Sequence, residues 1–480
     1  SNKIKPVWKK MGKIRHQCYS PLSFSLILFT AMLLSVTLRS VRSFSPRYTP
    51  SASLLIRRHL SSSSSSPQSQ ELSSFFSTNH TSFKSLGITN DSILSRLSKL
   101  NLRHPSTVQS LSFPHLRSSG GGDVIIGAET GSGKTLSYLL PLVDDILSQK
   151  RSGTVNYDYC RAIILVPNKE LVEQVYRVAR TLSRDDDVRA GILPGGLSAP
   201  SDYRPFREGL SSGVPAVDLV ICTPAALAPL GVSPKNVDFF SDVPTVVVDE
   251  ADMLLEGGYG KDLDRVLMGF RRADKLVTTG GGGDDDDSSF EEGGDSDFYG
   301  RKTQHVFVAA TLPSSGLRSV DAFLERKFGD AVRVYAGGLH NARHCGLADA
   351  TMWMEVENVM ERLDALVEEL EKMNEEKVMV FLNTVEDVDG AANALRRAGV
   401  NALPYHAKIP REERGNNLAQ FRDYNPETTQ TDAPPVLVCT DLASRGLDIP
   451  GVTVIVQLQF ALNVVAHLHR MGRCGRAGKK

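Results

Sequence analysis

Short apolar runs alternate with amphipathic helical patterns along most of the chain, and this alternation constrains the fold more than any other sequence feature. Runs of three to seven residues, rich in Val and Ile, are typical of strands buried on both faces of a sheet. The runs form two series: Val124–Ile126, Ala162–Val166, Leu219–Cys222, Thr245–Val248 and Val306–Ala309, then Val378–Leu382, Ala402–Tyr405, Val436–Cys439 and Val452–Leu458. Helical patterns between them include Glu170–Leu182, Met360–Met373 and Val385–Ala398. Such alternation predicts an α/β protein with parallel sheets covered by helices.

The two series predict two tandem α/β domains divided near residue 340. The length agrees with this number, because 480 residues allow two to four domains. We place the first domain at residues 73–340 and the second at residues 341–480. A tract of Gly and Asp, Gly280–Gly294, interrupts the first domain and lacks apolar residues apart from Phe290. We therefore expect a disordered surface insertion at about residues 278–300.

Residues 1–72 have the composition of a targeting segment and not of a folded domain. Residues 1–70 hold 11 Lys and Arg but no Asp or Glu, and they are rich in Ser, which is typical of an organelle transit peptide. We expect a transit segment followed by a disordered Ser-rich linker. The expected destination is the chloroplast, and the alternative is the mitochondrion.

An apolar stretch within this segment, Leu22–Leu38, leaves other interpretations open. As a helix its 17 residues span about 25 Å, a marginal length for a bilayer, so a signal-peptide core or an anchor is compatible with it. We favour a start at Met32 over one at Met11, since the sequence from Met32 resembles an ordinary transit peptide. Residues 1–31 would then be untranslated leader, and the processed protein would have no stable membrane association.

The charge and cysteine content exclude several classes of protein. Lys and Arg number 55, as do Asp and Glu, but eight of the acids lie in one short run, Asp284–Asp297. A polyanionic ligand would therefore be bound by a local patch and not by overall charge. The six cysteines form no C-x-x-C pair, which argues against a disulfide framework and against a zinc ribbon.

A glycine-rich segment between a strand and a helix is the first specific sign of function. Such a turn points backbone N–H groups at phosphate oxygens. Lys134 is placed to reach the β- and γ-phosphates, and the Thr135 hydroxyl is placed to hold Mg²⁺. The residues of this candidate phosphate loop are Ala128, Glu129, Thr130, Gly131, Ser132, Gly133, Lys134 and Thr135.

An acidic cluster supplies the second sign. Asp249 and Glu250 directly follow the buried strand Thr245–Val248, whose carboxyl end would face a ligand crevice. One acid at such an end can hold Mg²⁺ through water, and a second can take a proton from an attacking water. Alone, acids after a strand are more often a helix N-terminal cluster. Together with the phosphate loop they favour a nucleotide-hydrolysing site.

A basic run near residue 470 supplies the third sign. Arg473 and Arg476 lie three residues apart, so on one helical turn they would share a face. Such a pair could stabilise charge on a γ-phosphate if the second domain closed on the first. A basic turn without catalytic work fits the spacing equally well.

These motifs occur together, in the same order, in one known family. From Phe83 to Lys480 the chain resembles the DEAD-box ATP-dependent RNA helicases, and in particular their plant organellar type. The resemblance rests on AETGSGKT at 128–135, DEAD at 249–252, PSTVQ at 105–109 and the arginine-rich run from His469. It implies two RecA-like domains of the P-loop type, as in helicase superfamily 2, that bind ATP, Mg²⁺ and RNA. It also favours Arg473 and Arg476 as arginine fingers.

The resemblance implies a role for individual residues. Phe83 would stack on adenine, Gln109 would bond to it, and Asp448 would contact the ribose. Catalysis would involve Lys134, Asp249 and Glu250, with Thr135 and Asp249 on the metal. RNA contacts would come from Pro167, Lys169, Gly195, Gly196, Thr223, Pro224, Asn383, Arg422 and Thr440. Coupling of hydrolysis to strand separation would involve Asp252, Ala309, Thr311 and His469.

The chain also departs from the family pattern. Ala309 stands where the family usually has Ser, which puts strong unwinding in doubt more than ATP turnover. Asn168-Lys169 replaces the usual Thr-Arg, and Ala225-Ala226 replaces Gly-Arg, so a bidentate phosphate contact is lost. The second domain is expected to be incomplete at its C-terminus.

Two functions follow as expectations. The first is an organellar RNA helicase that remodels structured RNA, with ribosomal RNA during ribosome assembly as a candidate substrate. Ribosomal proteins or pre-ribosomal particles would then be partners. The alternative is an ATP-gated RNA clamp with little duplex unwinding. In both cases RNA would be held mainly by its backbone, so sequence readout should be weak.

Overall fold

The structure is a computed structural model, and all the residues it describes belong to one compact unit, Ala52–Lys480. The described residues are 52–58, 75–116, 122–152, 160–183, 187–197, 199–208, 216–241, 243–256, 259–279, 303–312, 320–336, 351–356, 359–373, 376–424, 434–444, 449 and 451–474. The apolar stretch Leu22–Leu38 and nearly all of the acidic insertion lie outside these residues.

Strands and helices are numbered in chain order. The strands are β1 (Ala52–Arg58), β2 (Val124–Ala128), β3 (Ala162–Leu165), β4 (Ala190–Ile192), β5 (Leu219–Cys222), β6 (Thr245–Val248), β7 (Gln304–Ala309), β8 (Val332–Ala336), β9 (Thr351–Val356), β10 (Val378–Phe381), β11 (Ala402–Tyr405), β12 (Val436–Cys439) and β13 (Val454–Gln457). The helices are α1 (Phe83–Leu86), α2 (Asp91–Lys99), α3 (Thr107–Leu116), α4 (Lys134–Ser152), α5 (Lys169–Leu182), α6 (Pro200–Arg207), α7 (Pro224–Val232), α8 (Val237–Ser241), α9 (Ala251–Glu256), α10 (Gly260–Thr279), α11 (Val320–Lys327), α12 (Val359–Glu371), α13 (Val385–Arg397), α14 (Arg411–Asp423) and α15 (Val464–Met471).

The first domain is built on a parallel sheet with the strand order β4-β5-β3-β6-β7-β2-β8. Successive side chains along the central strand β3 enter different cores. Ile164 belongs to one apolar cluster, whereas Ile163 and Leu165 on either side of it belong to another. Because side chains alternate between the two faces of a strand, this pattern requires helices on both faces of the sheet.

The second domain repeats this arrangement on a sheet ordered β11-β12-β10-β13-β1-β9. The four strands from β11 to β13 are parallel, and Val380 and Phe381 of β10 enter different cores. The predicted fold class, two parallel-sheet α/β domains, is therefore confirmed. The predicted division near residue 340 falls between β8 and β9, outside the described residues.

β1 corrects one prediction. We expected residues 1–72 to lack structure beyond a targeting signal, but β1 pairs antiparallel with both β13 and β9. A strand at the margin of a sheet has unpaired backbone N–H and C=O groups, and pairing with another strand satisfies them. The expectation of an unstructured segment is thus wrong for Ala52–Arg58.

No helix among the described residues combines the length and the apolar character that crossing a bilayer requires. The four described cysteines, Cys160, Cys222, Cys439 and Cys474, are buried.

A glycine fixes the packing of two helices in the first domain. A Cβ added at Gly231 of α7 would lie 2.0 Å from the carbonyl oxygen of Arg265 in α10. Arg272 of α10 donates to the Gly231 and Val232 carbonyls at 3.0 and 3.2 Å, so the end of α7 is held against α10. The opposing atom belongs to the backbone and cannot rotate away.

We predict that Gly231→Ala lowers the free energy of unfolding by about 1–3 kcal/mol, because the methyl group forces two packed helices apart. Gly260→Ala is the matched control, since its added Cβ would meet nothing closer than 3.5 Å. The control should change stability by no more than about 0.5 kcal/mol. Thermal unfolding followed by circular dichroism measures both, and equal midpoints for the two variants would contradict the prediction.

Candidate nucleotide and RNA site

The phosphate loop lies between β2 and α4, as the sequence predicted. Gly131 and Gly133 adopt positive φ angles of 78° and 91°, which favour glycine over residues with a Cβ. A Cβ added at Gly133 would also lie 2.5 Å from the Gln109 side-chain nitrogen. Both glycines are therefore needed for the tight turn, which brings the backbone to the start of α4.

Gln109 connects the candidate adenine motif to this loop. Its side chain accepts a hydrogen bond from the Ser106 N–H at 2.9 Å and donates one to the Gly133 carbonyl at 3.2 Å. Phe83 is only 3% exposed and packs within the apolar core of the first domain. Stacking of Phe83 on adenine stays a prediction.

Lys134 places a buried positive charge beside the loop. Its Nζ donates to the Ala128 and Glu129 carbonyls, both at 2.9 Å. Burial lowers the pKa of Lys134, and the nearby carboxylates of Glu250 and Asp249 oppose this shift. A cation held this way can turn to a phosphate oxygen without leaving its pocket.

Asp249 and Glu250 follow β6 at the same edge of the sheet. The Asp249 carboxylate accepts hydrogen bonds from the Tyr138 hydroxyl and from the Glu250 N–H, each at 2.8 Å. Burial and, after it, the charge of Glu250 raise the pKa of Asp249 to about 6. Burial beside Asp249 also raises the pKa of Tyr138. Sequence reasoning missed Tyr138, which lies one helical turn beyond Thr135 on α4.

Glu250 has a strained backbone, and one of its carboxylate oxygens accepts no hydrogen bond from the residues that the structure describes. Its φ of 51° lies in the left-handed region, which costs a residue with a side chain about 1–2 kcal/mol. Glu250 Oε2 and Ser132 Oγ are buried, and neither has a hydrogen-bond partner among the described residues. Such atoms fit a site that receives phosphate and water. The Asp249 carboxylate and the Thr135 hydroxyl, the predicted metal ligands, are oxygen ligands of the type that Mg²⁺ takes.

Asp252 joins the acidic motif to two other predicted coupling residues. Asp252 Oδ2 accepts hydrogen bonds from the Thr311 hydroxyl at 2.7 Å and from the Thr311 N–H at 3.0 Å. His469 Nε2, from the second domain, lies 3.0 Å from the same oxygen. All three residues are buried, and Asp252 and His469 are 0% exposed. Ala309, also buried, packs into an apolar core instead of joining this contact.

The carboxylates of Glu250 and Asp252 and the imidazole of His469 lie close enough together to bind a metal ion. Asp252 already bonds to Thr311 and faces His469 in this arrangement. Thr135 and Asp249 stay the predicted Mg²⁺ ligands, and the cluster of Glu250, Asp252 and His469 is described as a contact between domains.

The basic run divides into residues with different surroundings. Arg473 is 4% exposed, whereas Arg476 and the predicted ribose ligand Asp448 lie outside the described residues. Arg470 is fully buried and bonds to Asp441, to the Gln459 carbonyl and to the Asn383 side chain. Arg470 therefore organises the loops of the second domain. Its place between His469 and Arg473 was visible in the sequence, but its partners were not.

A second contact between the domains lies on α5 and α14. Arg414 donates to the Glu170 carboxylate at 2.5 Å, and its guanidinium lies 5.9 Å from the Tyr405 ring centre. Arg411 pairs with Glu173 beside it. No pattern in the sequence distinguishes these four charged residues.

The predicted RNA-contacting residues of the first domain lie beyond adjacent strands. Lys169 and its neighbour Pro167 follow β3, Gly195 and Gly196 follow β4, and Thr223 and Pro224 follow β5. Since β4, β5 and β3 are neighbours and parallel, these residues share one edge of the sheet. Lys169 and both glycines are exposed there.

In the second domain, Asn383 and Thr440 follow the adjacent parallel strands β10 and β12. Asn383 donates to the Phe460 carbonyl at 2.9 Å, and Arg422 in the last turn of α14 donates to Asp423 at 2.9 Å. Thr440 accepts from the Leu442 N–H at 3.5 Å. These side chains are therefore partly engaged within their own domain, and their contacts with RNA stay predictions.

Two family models match the chain. The "DEAD/DEAH box helicase" model covers residues 106–319, and the "Helicase conserved C-terminal domain" model covers residues 361–478. The two models therefore cover most of both described domains.

Similar proteins agree with these matches. The chain is 33% identical to "DEAD-box ATP-dependent RNA helicase 22" of Oryza sativa subsp. japonica and 31% identical to the protein of that name from Arabidopsis thaliana, in each case over 84% of this chain and 77% of the relative. Mss116p bound to ssRNA and AMP-PNP has the same fold, with a TM-score of 0.60 and 20% identity over 84% of this chain and 74% of that one. The protein therefore belongs to the DEAD-box ATP-dependent RNA helicases and is an ATP-hydrolysing enzyme.

Proposed function

We propose that this helicase binds and remodels structured RNA inside an organelle, with the chloroplast preferred over the mitochondrion. Ribosomal RNA during ribosome assembly is the candidate substrate, and ribosomal proteins or pre-ribosomal particles are the candidate partners. The basic, acid-free composition of residues 1–70 and the plant origin of the relatives support the location. The observation that carries RNA remodelling is the buried contact of Asp252 with Thr311 and His469.

The nucleotide half of the mechanism follows from the first domain. Lys134 binds phosphate oxygens, and Glu250, with its open buried oxygen, takes a proton from the attacking water. Mg²⁺, when bound by Thr135 and Asp249, would neutralise charge on the β- and γ-phosphates. Arg473 approaches from the second domain, with Arg476 proposed beside it, and stabilises the charge that develops during transfer.

The RNA half of the mechanism uses loops of both domains. Exposed Lys169 and the glycine turn at Gly195 and Gly196 offer a cation and open backbone groups to the RNA phosphates. Mss116p was solved with single-stranded RNA and AMP-PNP, which supports binding of both ligands by this fold. Since the proposed contacts involve backbone and sugar, the helicase should accept many RNA sequences.

The contacts that would couple ATP hydrolysis to strand separation favour RNA remodelling over a passive clamp. Ala309 lacks the hydroxyl that the family usually has there, but Thr311 bonds to Asp252 through both its hydroxyl and its N–H. His469 of the second domain faces the same oxygen, so a change in domain spacing reaches the acidic motif directly. We therefore keep the ATP-gated RNA clamp as the alternative function.

We predict opposite kinetic effects for two substitutions in the nucleotide site. Lys134→Ala should weaken ATP binding at least about tenfold, because a buried phosphate-binding cation is lost. Glu250→Gln should keep ATP binding but lower kcat about 10²-fold or more, because an amide cannot take the proton. Binding of a fluorescent ATP analogue and RNA-stimulated phosphate release separate the two effects. Normal turnover by Glu250→Gln would refute its role as general base.

Thr311→Val tests whether the Asp252–Thr311 contact couples ATP hydrolysis to strand displacement. Loss of the hydroxyl should reduce strand displacement about tenfold and the ATPase rate much less, because Asp252 loses one of its fixed partners. Thr303→Val is the matched control: Thr303 is also buried, and its hydroxyl donates to the Val243 carbonyl at 3.2 Å, in a different contact. Both assays use a short RNA duplex with a single-stranded extension. RNA-stimulated turnover without displacement by the unmodified protein would favour the clamp.

The location is tested with residues 1–72 fused to a fluorescent protein in plant cells. We expect fluorescence in chloroplasts, since this segment is basic and Ser-rich. Fluorescence in mitochondria would select the alternative, and a diffuse cytosolic signal would contradict an organellar role.

A further inference from the structure

Gly472 directly precedes Arg473, the candidate arginine finger, and its own backbone gives no reason for a glycine. It follows the end of α15 with φ −67° and ψ 2°, and its N–H donates to the Leu468 carbonyl at 2.8 Å. Any L-amino acid adopts these angles without strain. The reason for glycine at this position must therefore lie outside its own backbone.

That reason is the phosphate loop of the other domain. A Cβ added at Gly472 would lie 2.0 Å from Thr130 Oγ1, 3.0 Å from Thr130 Cβ and 3.2 Å from the Leu468 carbonyl oxygen. Threonine is branched at Cβ and therefore stiff at χ1, so Oγ1, the atom in the closest contact, does not turn away freely. The backbone of the second domain at Gly472 thus lies directly against Thr130 of the phosphate loop.

The loop has little freedom to yield. The Ser132 N–H donates to the Glu129 carbonyl at 3.3 Å, and Lys134 Nζ bonds to the carbonyls of Ala128 and Glu129. A methyl group at position 472 would therefore displace α15 and not the loop. Movement of α15 would carry His469 away from Asp252 and Arg473 away from the nucleotide.

We propose that Gly472 is a positioning residue for ATP hydrolysis: its missing side chain lets the arginine-bearing segment of the second domain seat directly on Thr130 of the phosphate loop. The role is steric and acts only when the two domains meet. The inference rests on the proposed ATP-driven approach of the domains on RNA. It adds a determinant of that approach which makes no bond to nucleotide or RNA.

The test compares Gly472→Ala, Thr130→Ala and the double variant in the full chain. We expect Gly472→Ala to lower the RNA-stimulated kcat about 10- to 100-fold, because a displacement of about 1 Å can cost that much. Affinity for a fluorescent ATP analogue without RNA should change less than about twofold, since the phosphate loop itself is intact. Gly390→Ala is the control, because a Cβ there meets nothing within 4 Å.

The second comparison measures the effect of Gly472→Ala in the Thr130→Ala background. Thr130→Ala removes Oγ1, the atom nearest to the added methyl group, so Gly472→Ala should cost less than about threefold in that background. An equal penalty in both backgrounds would overturn the inference, because the damage would then lie within α15. Unchanged kcat for Gly472→Ala would also overturn it.

Small-angle X-ray scattering separates this inference from the proposed function. With AMP-PNP and single-stranded RNA, the unmodified protein should become more compact and Gly472→Ala should not. Compaction of both proteins to the same extent, or of neither, would overturn the inference. Compaction of the unmodified protein without RNA-stimulated turnover would instead contradict the proposed function and leave the steric role of Gly472 supported.

Discussion

A single carboxylate, Asp252, joins the parts on which catalysis depends. It follows β6, accepts two hydrogen bonds from Thr311 after β7, and faces His469 of the second domain at 3.0 Å. Its full burial means that water cannot replace these partners, so loss of any one leaves a buried charge poorly satisfied. The acidic motif, the coupling segment and the basic run therefore hold their relative positions together.

The parallel sheets explain how Asp252 can contact residues that are distant from it in the chain. In both domains the chemically active residues follow the carboxyl ends of neighbouring strands, so residues far apart in the chain become adjacent. The cores on each face of a sheet keep these ends in register. Tyr138 donates a hydrogen bond to Asp249 and Arg470 donates one to Asn383, so both side chains help to hold these predicted site residues in place.

Much of this could be predicted from the sequence, because buried parallel strands and the phosphate loop have strong local patterns. The nine predicted strands, the loop and the acidic motif all lie where expected. The sequence pattern does not predict four of the described strands: β4 has only three residues, β8 is partly exposed, and β1 and β9 pair with each other although they lie far apart in the chain. The contacts of Tyr138, Arg470 and Gly472 join residues far apart in the chain, and the sequence alone does not show such pairing.

Among the described residues, two contacts between the domains differ in their access to solvent. His469 and Asp252 are excluded from water, whereas the Arg411 and Glu173 side chains are 73% and 37% exposed. Dissolved ions screen exposed charges over about 8 Å at physiological ionic strength but reach buried ones far less. The ionic composition of the surrounding solution therefore acts on the Arg411–Glu173 pair of the α5–α14 contact and reaches the contact of Asp252 with His469 far less. Salt concentration is therefore expected to change the strength of the exposed pair between the domains while leaving the buried contact at Asp252 nearly unchanged.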